Sequence, residues 1–123
     1  MLFRSDLLGT VMLQFWPHAA HVVRRPDEAE VRALAVAPAA QGQGAGRALL
    51  RACIEIAAAR GARQLVLCTQ ADMAAAQHLY ADAGFRRLPE RDWSPVPGFT
   101  LLAYGLMMDP AAPVTSPPGR LAR

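Results

Sequence analysis

The chain has 123 residues, enough for one domain with a buried core. Apolar residues make up 53% and charged residues 19%, which excludes a wholly disordered chain. The formal charge of +3 rests on arginine alone, since there is no lysine. The arginines are scattered, without a block or interleaved aromatics, so nucleic-acid binding is not expected.

Residues 7–13 are rich in branched and apolar side chains and lack a helical stripe, which predicts a buried strand. The apolar run 7–16 has the length of a signal-peptide core, but it follows Asp6, contains Gly9, Thr10 and Gln14, and has no convincing cleavage site. It is also too short to span a bilayer. No membrane contact is therefore expected, and the protein is read as cytoplasmic. Residues 15–27, with Pro17 and Pro26, predict either a hairpin connection with a short strand near 20–23 or an irregular loop.

The next strand is expected at 30–36. Its apolar positions Val31, Leu34 and Val36 break a period of two, which predicts a bulge near 32–34 or burial on both faces; Pro38 then ends it. A helix is expected from Gly44 or Ala45 to Arg60. Ala45, Leu49, Ala52, Cys53, Ile56 and Ala57 recur at three- and four-residue spacing, and Gly61 is the stop. Residues 64–69 read as a strand inside a parallel sheet. A second helix is expected from Asp72, as N-cap, to Ala83, ended by Gly84.

Residues 85–88 and 99–108 predict two further strands across a loop holding Pro89, Pro95, Pro97 and Gly98. Residues 109–123, with four prolines, are expected to be a disordered tail after a domain spanning 1–108. The order implies an α/β fold with a mixed, mostly antiparallel sheet around a central parallel strand–helix–strand unit. Cys53 and Cys68 read as small buried hydrophobes; neither has a partner at metal-ligand spacing, so no metal is expected.

The run Gln41-Gly42-Gln43-Gly44-Ala45-Gly46 lies between a strand and the clearest helix. Its alternating glycines admit positive φ and close backbone approach. The helix start behind them offers unpaired N–H groups and partial positive charge, an anion site to which Arg47 would add a contact. A dinucleotide loop would need a third glycine where Arg47 stands, and a nucleoside-triphosphate loop would need a lysine. A glycine-rich turn with no ligand is the other reading of the spacing.

Leu34-Ala-Val-Ala-Pro38, then residues 41–46 and Arg47-Ala-Leu-Leu50, resemble the signature of the GNAT superfamily of acyl-CoA N-acyltransferases. Ala76-Gln-His-Leu-Tyr80 followed by Gly84-Phe85 is similar to a second segment of that family, in the expected order. The resemblance covers roughly residues 30–108. It implies an acyl-CoA N-acyltransferase fold and an N-acetyltransferase moving acetyl from acetyl-CoA to a primary amine, of a small molecule or a peptide, by direct attack in a ternary complex. A non-catalytic CoA-binding module or subunit is the alternative.

The resemblance also implies residue roles. The pantetheine arm would pair with the strand at Leu34, Ala35 and Val36. Residues Gln41, Gly42, Gln43, Gly44, Ala45, Gly46 and Arg47 would hold the pyrophosphate. Tyr80 would be the general acid for the leaving thiolate. Glu30, eleven positions before Gln41, matches the general base of some members, with Glu28 as a neighbour acting through water. His18 and His21 are rival bases, and His78 points to a different face from Tyr80. An asparagine common in the family is replaced by Met73, with Gln77 or Gln70 as substitutes. Only six residues precede Leu7, so the family's N-terminal strand and helices are expected to be missing. The sheet edge so uncovered predicts pairing with another chain, a homodimer being the expected form.

Overall fold

The computed structural model describes residues 9–16, 22–42 and 44–108. The elements follow in the order β1 (Gly9–Phe15), β2 (Glu28–Val36), α1 (Ala45–Ala59), β3 (Gln64–Gln70), α2 (Ala74–Asp82), β4 (Arg86–Arg87), β5 (Trp93–Val96) and β6 (Phe99–Met107). Leu7, Leu8, His18, His21, Gln43 and the expected tail at 109–123 lie outside the described residues.

The sheet runs β1-β2-β3-β6-β4, with β5 also pairing on β6. Only β2 and β3 are parallel, as the intervening helix requires; the other pairs are antiparallel. Side chains alternate across the sheet. Ala29, Val31, Leu65, Leu67 and Tyr104 join Leu50, Cys53 and Ala57 of α1 and Tyr80 of α2 in the main core. Val66 and Ala103 face the other way, covered by Val22 and Val23.

The expected irregularity in β2 is a bulge. Met12 pairs with Arg32 but Thr10 with Ala35, so β2 carries one extra residue, and Ala33 takes a φ of 56°. The strand also starts earlier than expected, at Glu28.

Three expectations are corrected. The buried stripe of α1 is Leu50, Cys53 and Ala57, while Ile56 is half exposed and Ala52 is exposed, so the helix is rotated from the face its alanines suggested. Helix α2 starts at Ala74 with Met73, not Asp72, in the cap position and no side-chain cap. The proline-containing loop holds a 3-10 turn at Pro89–Arg91 and the strand β5, while β4 is only two residues long. Val22 and Val23 are buried and form no strand, in line with the irregular-loop alternative for that stretch; residues 17–21 lie outside the described residues.

Candidate active site

The parallel register of β2 and β3 runs from Glu28 opposite Gln64 to Val31 opposite Leu67 and stops there. Beyond that point β2, bent by its bulge, stays with β1 up to Val36, while β3 stays with β6 up to Gln70. The strands part, and the wedge between them encloses about 190 Å³ lined by Val31, Leu34, Cys68, Thr69 and Tyr80 among others. On the helix side the wedge meets a larger cleft of about 620 Å³. Leu34, Met73 and Tyr80 line both, so they stand at the junction.

The far end of the cleft is the glycine loop. Gly42 and Gly44 have φ of 82° and 85°, which a β-carbon would strain. The Gln41 Nε2 donates to the Val36 carbonyl at 3.3 Å and ties the loop to the end of β2. Helix α1 then begins without a side-chain cap, so its first N–H groups are left for a ligand. Gly46 sits where α1 approaches α2: a β-carbon there would lie 3.3 Å from Leu79 Cδ2 and 3.5 Å from Val36 Cγ2. Bare N–H groups, a helix start and a glycine cradle fit a pyrophosphate.

Tyr80 is 6% exposed, its ring packed at 6.0 Å from those of Phe85 and Tyr104. Burial pushes its phenol pKa up, so the proton is retained at neutral pH. Among the described residues its hydroxyl has no hydrogen-bond partner. A buried, protonated hydroxyl between two cavities is able to donate to a group placed in either of them.

Glu30 is not brought to Tyr80. It alternates with Ala29 and Val31 and therefore lies on the opposite face of the sheet, 6% exposed, with its Oε2 3.8 Å from Arg32 Nε. Val31, the next residue, reaches the wedge. Glu28 is fully committed elsewhere: it accepts from both terminal nitrogens of Arg91 at 2.7 and 2.8 Å, from Arg24 N and from Gln64 Nε2. That saturates the carboxylate and removes Glu28 as a base.

Leu34, Val36, Gln41, Gly42, Gly44, Ala45, Gly46 and Arg47 line the cleft. Ala35 does not; its side chain points away and its backbone pairs with Thr10. Gln77 does not either, since its Nε2 donates to the Gln70 and Ala71 carbonyls and its Oε1 accepts from Tyr104. Met73 stands in the cleft where the resemblance expects asparagine, and its sulfur accepts a weak contact from Thr69 Oγ1 at 3.9 Å. Sequence reasoning missed Leu79 and Thr69. The spacing Ala76, Leu79, Tyr80 was a signal for Leu79; nothing local marked Thr69.

On the far face, burial pushes the Cys68 thiol up to about 11, so it is no nucleophile at neutral pH. Among the described residues no cluster of His, Cys, Asp or Glu is arranged to hold a metal, and no helix is long and apolar enough to cross a membrane.

The sequence and the fold have relatives. The chain is 34% identical over 86 residues to a protein named mycothiol acetyltransferase from Beutenbergia cavernae, covering 68% of this chain and 27% of that one. It spans between 17% and 27% of the length of the curated relatives it matches. The ribosomal-protein-S18-alanine N-acetyltransferase from Escherichia coli superposes with a TM-score of 0.64 at 26% identity, over 99% of this chain and 71% of that one. A Bacillus subtilis acetyltransferase solved in complex with CoA shares the fold, with a TM-score of 0.66 at 22% identity over 86% of this chain and 73% of that one. The model of the acetyltransferase (GNAT) family matches residues 2–85, and the chain belongs to that family.

Proposed function

We propose that the chain binds acetyl-CoA in the cleft and transfers the acetyl group to a primary amine by direct attack in a ternary complex. The observation that carries this reading is Tyr80, 6% exposed where the cleft meets the wedge, its hydroxyl without a hydrogen-bond partner among the described residues. When bound, acetyl-CoA supplies an activated acyl group. The loop around Gly42 and Gly44 and the start of α1 hold the pyrophosphate, and the parted end of β2 lies along the pantetheine arm. Tyr80 gives its proton to the leaving thiolate, and a group on the amine side takes one from the acceptor, so the proton count closes. Glu30 is our candidate for that group, supported by its burial on the far face beside the point where the strands part.

The acceptor panel starts from the relatives' names: a mycothiol-related substrate and an N-terminal alanine peptide of ribosomal protein S18. The outer edge of β1 has no strand partner among the described residues, which supports pairing with a second copy. Tyr80→Phe tests the chemistry. At saturating acetyl-CoA its turnover should fall by about a hundredfold or more with CoA affinity kept. An unchanged rate would remove Tyr80 from the acid role.

A second reading, a non-catalytic CoA-binding module, is favoured by the placement of Glu30 on the sheet face opposite Tyr80. Calorimetric binding of acetyl-CoA without CoA release on any acceptor in the panel would select it.

A further inference from the structure

Arg47 is the basic side chain among the residues lining the cleft, standing on the first turn of α1. Its Nη2 lies 3.4 Å from Asp82 Oδ2, across the gap between the two helices. Both side chains are more than half exposed, 51% and 58%, so water and salt screen the pair. One nitrogen makes the contact, and among the described residues the other guanidinium donors have no partner. The bond is long, single and loose.

Asp82 is also misplaced for its own helix. It is the last residue of α2, where the backbone carbonyls already carry partial negative charge and an anion is disfavoured. Its favourable neighbour is Arg47, and that is the cation a polyanionic ligand in the cleft would also seek. A phosphate offers Arg47 two oxygens in fork geometry and more charge than one carboxylate.

The geometry points to Asp82 as an electrostatic counterweight on the cleft: it holds Arg47 while the cleft is empty and yields it to the phosphates of a bound nucleotide. This rests on the acyl-CoA reading and adds a tuning residue to it. Every fraction of time that Arg47 spends on Asp82 is subtracted from the binding-competent population, so the apparent affinity falls by that fraction. Asp82 touches neither the acyl group nor Tyr80 in this scheme; it acts through Arg47 on affinity.

The test is calorimetric titration of CoA into the wild type, Asp82→Asn, Arg47→Gln and the double variant, at low and at high salt. Asp82→Asn should bind CoA about two- to fivefold more tightly at low salt, the range open to an exposed pair. The gain should shrink at about 1 M salt and be missing in the Arg47→Gln background. Affinity that is unchanged or weaker in Asp82→Asn would overturn the proposal, and so would a gain that persists without Arg47. A wild type that binds no CoA would instead sink the acyl-CoA reading, and this proposal with it.

Discussion

The Tyr104 hydroxyl donates to Gln77 Oε1 at 3.3 Å, joining the middle of α2 to the sheet strand that runs beneath it. The same carboxamide donates through Nε2 to the carbonyls of Gln70 and Ala71, at 3.1 and 2.9 Å. One side chain thus fixes the end of β3, the turn into α2 and the ring that packs on Tyr80. Gln77→Ala should lower stability by about 0.5–1.5 kcal/mol, because carbonyls at the turn exchange their donor for water. Thermal and urea unfolding would measure it. Gln77→Glu keeps the acceptor for Tyr104 and loses the donor, so it should fall close to the alanine variant; wild-type stability in Gln77→Glu would show that the turn bonds contribute little.

Much of the site was legible because its signals are local. The broken apolar period at Val31, Leu34 and Val36 is compatible with a bulge or with burial on both faces, and the bulge at Ala33 is its cause. The glycine spacing at 42, 44 and 46 marked the cradle. What escaped depends on distant partners. Gln77 reads as a ligand contact in the sequence, but its carboxamide is taken up by the turn before α2 and by Tyr104, twenty-seven residues away. Strand β5 was hidden by its own prolines. Pro95 is tolerated because β5 lies at the sheet margin, paired to β6 alone.

The carboxylate of Glu28 is 3% exposed and bonded by Arg91, Arg24 and Gln64. Burial acts to raise its pKa, but the Arg91 guanidinium and the Arg24 N–H outweigh that and hold it below the ordinary value of 4.5. The folded state therefore binds this proton less readily than the unfolded chain. Its contribution to stability is complete above about pH 4.5 and is lost as pH falls through the lowered folded value. Arg91→Met leaves the carboxylate buried without its cation and should cost about 3–5 kcal/mol at neutral pH. Unfolding free energies measured from pH 3 to 7 should show the wild type losing stability at the acid end, with a shallower dependence in Arg91→Met. Parallel curves would remove this pair as a source of the acid sensitivity.

Ala33 holds the bulge at a φ of 56°, a conformation that costs an alanine about 1 kcal/mol or more. Ala33→Gly removes the β-carbon strain but gives the unfolded chain more freedom, so the net gain should be a few tenths to about 1 kcal/mol. Ala33→Val should instead destabilise by more than 1 kcal/mol and narrow the wedge that Ala33 lines. The two variants should move the melting temperature in opposite directions. A valine variant as stable as the wild type would mean that the bulge relaxes to an unstrained backbone.

Gly44 and Gly46 separate conformation from contact within one loop. Gly44 has open space around its α-carbon, so a side chain there meets only the penalty of a φ of 85°. Gly46 has ordinary helical backbone, but a side chain there would press on Leu79 of α2 and Val36 of β2. In the wild type, CoA at a hundredfold over its Kd should add about 2.7 kcal/mol of stability by mass action. Gly44→Val should distort the cradle and remove most of that increment. Gly46→Ala requires a shift of only a few tenths of an ångström, so it should keep a reduced increment. Gly46→Val adds branches to the crowded side and should lose intrinsic stability as well. Thermal shift with and without CoA reads both quantities at once. Full stabilisation of Gly44→Val by CoA would place the phosphates somewhere other than this loop.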